Sequence, residues 1–225
     1  MDFALDKWIG IVFVIYSVSL HELGHALTAT YFGDPTPGRH GRLTWNPLVQ
    51  LHPVYSIAVP LVSFLLNGTP LGFAYCPIDP SRFRRPLRDR ALTALAGPAV
   101  NFTVMLVCLG LLWIEALAPH DSWNRPIFFG VALWNMILGV FNLMPIPGLD
   151  GYDVIRPALP LGLRRPLDDL RHMGYLPLLV IFLLAPVVFG QVIPPFLALF
   201  IKALPSHITY DQLLELFAHW RPRGY

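Results

Sequence analysis

Five residues near the N-terminus, His21-Glu22-Leu23-Gly24-His25, have the types and the spacing for metal chemistry. On a helix, positions i and i+4 share a face, so the two imidazoles can hold one zinc ion. Glu22 stands one step round from His21, within reach of a water on that metal, where a carboxylate serves as general base. The motif lies in an apolar run that begins at Trp8 and resumes at Ala26. Ionisable residues in a helix of membrane length are destabilising unless something uses them, so the setting itself points to a working site.

Catalytic zinc takes three protein ligands and keeps a fourth position for water or substrate. Apart from Glu22, the chain's only Glu are Glu115, at the far end of an apolar run, and Glu215, in the C-terminal tail. Neither is well placed. The better candidate for third ligand is Asp150, in Asn142-Leu-Met-Pro-Ile-Pro-Gly-Leu-Asp-Gly151. Pro145 and Pro147 block helical hydrogen bonding there, and Gly148 and Gly151 allow tight turns. Irregular backbone at membrane depth is tolerated only where it is buried in protein or lines a wet cavity. The six other His (His40, His52, His120, His172, His207 and His219) are scattered and read as surface or capping residues.

The elements that must position these residues are apolar. Hydrophobic residues make up 55% of the chain, charged residues only 13%, and mean hydropathy is +0.54. That composition belongs to an integral membrane protein rather than a soluble globule. A formal net charge of +2 gives no case for nucleic acid as a partner. Cys76 and Cys108 lack zinc-site spacing and read as free, small apolar residues with no disulfide framework. Asp2 and Asp6 replace the basic start of a cleavable signal. The expected fold is a polytopic, all-α helix bundle forming one membrane domain over residues 1–225. The candidate spans are 8–32, 91–117, 127–144 and 175–204. Pro186 and the pair Pro194-Pro195 predict a break in the last span. The segments around 54–66 are rich in Gly, Pro, Thr and aromatics, which predicts a small membrane-associated β element around residues 41–76. Residues 206–225 form a tail with Leu213, Leu214, Leu216, Phe217 and Trp220 at rough helical spacing, suited to lie on the membrane surface.

The motif pair His21-Glu22-Leu-Gly-His25 and Asn142-x-x-Pro145-x-Pro147-x-Leu149-Asp150-Gly151 resembles the site-2 protease family of intramembrane zinc metalloproteases. Ala96-Gly97-Pro98-x-x-Asn101, Gly41-Arg-Leu-Thr-x-Asn46-Pro47 and Phe83-Arg-x-Pro86-x-Arg88-Asp89 look like that family as well. The resemblance covers roughly residues 17–151. It implies His21, His25 and Asp150 as ligands of one Zn2+ per chain, Glu22 as catalytic base, and Asn142 near the substrate or oxyanion. One stretch departs from the family pattern. Where relatives commonly read His-x-Asp-Pro, this chain has Gln50 and His52 before Pro53. Only about nine residues separate 117 from 127, which leaves no space there for the PDZ domains some relatives carry.

The metal site constrains the topology. His25 and Asp150 must meet, and each stands near the C-terminal end of a span, so spans 8–32 and 127–144 run in the same direction and 91–117 runs against them. An even number of crossings must then lie between residues 32 and 91, so 54–66 cannot cross once. Arginines from Arg39 to Arg90 and from Arg156 to Arg171 crowd the metal side, against Lys7 and Arg125 opposite. The positive-inside rule then places the zinc site toward the cytosol and the N-terminus outside. The expected activity is hydrolysis of peptide bonds in transmembrane substrates within the lipid bilayer. Two rival readings are a non-proteolytic membrane zinc protein or transporter, which has no need of Glu22, and a membrane-anchored metalloprotease for soluble peptides, which needs a third ligand elsewhere.

Overall fold

The computed structural model describes residues 3–50, 76–116, 125–173, 183–184, 187–206, 208 and 211–214. These are helices joined by turns, with no strand among the described residues. In chain order the helices are α1 (Phe3–Tyr31), the one-turn α2 (Thr36–Arg39) and α3 (Pro47–Gln50), α4 (Pro86–Ala116), α5 (Arg125–Asn142), α6 (Asp150–Ile155), α7 (Leu161–His172) and α8 (Ile193–Ala203). The 29 residues of α1 and the 31 of α4 span roughly 45 Å each at 1.5 Å per residue. Among the described residues two helices, Pro86–Ile114 and Arg125–Asn142, are long and apolar enough to cross a membrane.

Helix α4 begins five residues earlier than expected, and the reason is local. Pro86 takes the first helical position, where its missing N–H is no loss, and the Asp89 carboxylate turns back to accept from the Arg85 N–H at 2.8 Å. The apolar pattern carries no trace of this polar first turn. Helix α5 ends at Asn142, two residues before the expected end at 144, as the chain enters the Pro145/Pro147 turn. Of the positions where a break is expected in the last span, Pro186 lies outside the described residues, and at Pro194-Pro195 the helix stays continuous. A π-helical turn at Val188–Val192 precedes α8, whose first turn holds Pro194 and Pro195. Two successive residues without N–H groups leave carbonyls upstream without their usual donors, and the wider turn absorbs the mismatch.

The β element expected around 41–76 falls mainly on 51–75, outside the described residues. Its described beginning, 41–50, is bend plus α3. Asn46 caps that turn by accepting from Leu48 N at 3.0 Å, and the buried Gln50 donates to Arg42 O at 2.8 Å. After 51–75 the chain returns to the C-terminal end of α1. There Asp34, fully buried, accepts from Thr36 N and, across the chain, from Asp79 N at 2.7 Å. Of the tail, 211–214 is helical, and Ile208 and Leu213 pack against the core; its remainder lies outside the described residues.

Helices α1, α4 and α5 form the centre. His25 meets Thr93 and His21 meets Asn101, so α4 runs antiparallel to α1. Ser17 meets Asn135, and the loop after α5 returns to His21 and His25, so α5 runs parallel to α1. These are the directions the metal motifs demanded. The apolar core lies between α4, α5 and α8, around Leu109, Leu112, Phe129, Val140 and Phe200. Trp113 Nε1 donates to Ala203 O at 2.9 Å and ties α4 to α8. Glycine permits two close approaches: Gly24 packs on the Ala96 carbonyl, and Gly139 on the Phe102 ring.

Helices α6 and α7 are joined by Asp168, which accepts from Tyr152 Oη at 2.8 Å and from Arg156 Nε and Nη2 at 2.8 and 2.6 Å. The Arg156 hydrogen bonds outweigh partial burial and hold the Asp168 carboxyl below the usual carboxylate range. A depressed folded pKa stabilises above the unfolded value of about 3.9, and that stabilisation disappears as pH falls through the folded value. Asp168→Asn should therefore cost about 1 kcal/mol at pH 7. Melting curves of the two proteins should converge as pH drops below about 4.

Candidate metal centre

The site is built where α1 presses against α4. His21, Glu22 and His25 are all buried, 5–6% exposed. The His21 and His25 ring nitrogens and a Glu22 carboxylate oxygen lie within 4.8 Å of one another. Asp150 arrives from the other side of the sequence. Gly148, at φ 104°, takes the backbone into the left-handed region, and Gly151 lies so close to the Leu143 carbonyl that no side chain fits. The turn delivers Asp150 to the first turn of α6, where a carboxylate also suits the helix dipole.

Three atoms converge. His25 Nε2 is 3.0 Å from His21 Nε2, and Asp150 Oδ2 is 3.1 Å from His21 Nε2 and 3.3 Å from His25 Nε2. Donor atoms around a tetrahedral zinc stand about 3.3 Å apart, given bonds of about 2.0–2.2 Å. The size of the triangle fits.

The proton inventory fits better still. Asn135 Nδ2 donates to the Val131 carbonyl and to Ser17 Oγ, each at 2.8 Å, which fixes that amide. Asn135 Oδ1 therefore accepts from Asn101 Nδ2 at 2.9 Å, and Asn101 Oδ1 faces His21 Nδ1 at 2.5 Å. An amide oxygen accepts, so His21 Nδ1 carries the proton. His25 Nδ1 likewise donates to the Thr93 carbonyl at 2.7 Å. Both Nε2 atoms are then bare lone pairs in the neutral rings, and Asp150 Oδ2 has no hydrogen-bond donor. Three such atoms converging on one buried point suit a cation. Zinc, with its N/O ligand preference, suits two imidazoles and a carboxylate.

Helix α4 supplies the wall. A Cβ on Gly97 would overlap both His21 Nε2 and His25 Nε2, so only glycine leaves room for an ion between them. Pro98 removes one helical N–H next to it. Asn142, the remaining expected site residue, ends α5 and donates from Nδ2 to Leu138 O at 2.9 Å. Asn101, Asn135 and Ser17 received no role from sequence, yet they orient His21 from three helices. Asn101 lay within a recognised motif. Asn135 had a readable signal, a fully buried amide in the middle of an apolar span.

This geometry agrees with the comparisons. YwhC of Bacillus subtilis, provisionally named a zinc metalloprotease, is 32% identical over 76% of this chain and 78% of its own length. The chain belongs to the site-2 protease family of zinc metalloproteases. Rip2 of Mycolicibacterium smegmatis, named in the same way, is 35% identical over 76% of this chain, and the match spans 65% of that relative's length. Rip2 of Mycobacterium tuberculosis is 34% identical over 78% of this chain and 66% of its own. No family model matches, and no solved structure matches.

Gly97→Ala should abolish zinc binding while leaving helicity intact, measured by elemental analysis and circular dichroism. Gly110→Ala is the control, since a Cβ there meets nothing within 4 Å. Asn101→Leu should weaken zinc binding about 10- to 100-fold by releasing His21. Chelator competition measures it.

Proposed function

We propose that this chain is a zinc endopeptidase that cuts transmembrane proteins inside the bilayer, close to its cytosolic face. The observation that carries the reading is the acceptor-only triangle of His21, His25 and Asp150 with the Glu22 carboxylate beside it. A zinc-carrying transporter has no use for Glu22 there, which favours hydrolysis.

The bilayer setting draws on the distribution of surfaces. The most apolar stretch of α4 is 33% buried and that of α5, at the centre of the bundle, 61%, so α4 is the helix whose apolar surface faces outward. Leu106, Val107, Trp113 and Ile114 of α4 and Val12, Phe13 and Tyr16 of α1 face outward, while Ser17, Asn101 and Asn135 face inward. Apolar outside and hydrogen-bonded polar inside is the arrangement lipid imposes. The Asp34–Asp79 hydrogen bond keeps residues 34 and 79 at one end of α1, which favours an even number of crossings between them. The arginine excess at that end supports a cytosolic site.

His21, His25 and Asp150 would hold the zinc, whose chemistry is to bring the pKa of water near 7 and to polarise a carbonyl. Glu22 takes the proton from the attacking water and delivers it to the leaving nitrogen. Asn142 has a side-chain N–H to turn from Leu138 O toward the oxyanion. A helical substrate offers no free amide, because its backbone bonds are internal. It must unwind first to present an extended peptide to the site.

Glu22→Gln removes the base and keeps the ligands. It should retain about one zinc per chain and lose cleavage of a reconstituted transmembrane substrate by about 10²- to 10⁴-fold. Full cleavage in that variant would defeat the mechanism.

A further inference from the structure

Two of the three proposed ligands stand on a helix of membrane length; Asp150 does not. It opens α6, six residues long, after a Pro/Gly turn. A helix that short has almost no stability of its own, so tertiary ties must set its position. Its tie to α7 through Asp168 reaches only the element that follows it in the chain, and cannot by itself place α6 against α1 or α4. Besides the packing of α6 on α4, a specific polar tie to α4 is on the next turn. Asp153 Oδ1 accepts from Arg90 Nη2 at 2.9 Å, with the two side chains only 12% and 19% exposed.

The partners are well chosen. Asp153 stands one turn beyond Asp150. Arg90 stands on α4, one turn before Thr93, whose carbonyl orients His25, and two turns before Gly97, which walls the site. The pair thus joins the element that carries one corner of the triangle to the helix that orients the other two. Net stability is a poor explanation for it. Desolvation offsets most of the attraction in a buried ion pair, and apolar groups of equal volume often stabilise as much. Fixed registry between elements is what such a pair provides.

We propose that Arg90 and Asp153 are positioning residues for the metal site, their ion pair setting the reach of the Asp150 carboxylate to the two histidine nitrogens. The proposal rests on the zinc reading of His21, His25 and Asp150.

The test is zinc affinity of the full chain in detergent, by chelator competition, beside the melting temperature of the metal-free protein. In Arg90→Met/Asp153→Leu both charges go and volume stays. The metal-free melt should stay close to the parent, and zinc affinity should fall about 10- to 100-fold. Arg90→Ala should lose affinity to a similar degree, and Arg90→Lys, which keeps a cation on a flexible stem, should recover most of it. Unchanged affinity in the double variant overturns the proposal. Should the double variant fail to fold, equal affinities in Arg90→Ala and the parent overturn it instead. A parent chain that binds no zinc overturns the metal reading and this proposal together, an outcome distinct from either of those.

Discussion

Two imidazole nitrogens and a carboxylate oxygen aimed at one buried point form a donor set that suits a cation. His21 Nε2, His25 Nε2 and Asp150 Oδ2 are such a set, within 3.3 Å of one another. Much of the described structure follows from holding them there. The i, i+4 spacing on α1 supplies two corners. Gly97 lets α4 approach without filling the space between them, and Gly24 lets the helices close. A turn made of Pro and Gly brings the third corner back from α5.

The same constraint explains where polar groups are allowed. Each imidazole must keep its proton on Nδ1, so each needs an acceptor there. Thr93 offers a backbone carbonyl to His25, and Asn101 offers an amide oxygen to His21. Asn101 in turn needs Asn135, and Asn135 needs Val131 O and Ser17, whose hydroxyl ends the chain on Phe13 O. Every nitrogen and hydroxyl in this line donates to an acceptor. That is the condition on which an apolar bundle can contain amides at all. The outward faces of α1 and α4 carry no such demand and are filled with Val, Leu, Ile and aromatics.

How much of this was legible in the chain follows from range. His21, Glu22 and His25 were legible because helical geometry relates them locally. Asp150 was legible because the chain has only two other Glu and because it stands in a Pro/Gly segment directly after an apolar run, and the parallel and antiparallel directions of α1, α4 and α5 followed once those residues had to meet. The support was not legible. Asn101 and Asn135 are 34 residues apart, and nothing local announces that their amides touch. The early start of α4 escaped a reading built on apolar runs, because a proline and a capping aspartate made its first turn. Nor does composition disclose that α6 and α7 exist, since six and twelve residues of mixed character resemble loop.

The central claim is the identity of the atoms around the cation. X-ray absorption at the zinc K-edge, on protein purified with its metal, measures them directly. The account predicts two imidazole nitrogens and carboxylate or water oxygen at about 2.0–2.2 Å, with no sulfur in the first coordination shell. A sulfur signal at about 2.3 Å, which would bring Cys76 or Cys108 to the metal, would contradict it, as would a shell with fewer than two imidazoles.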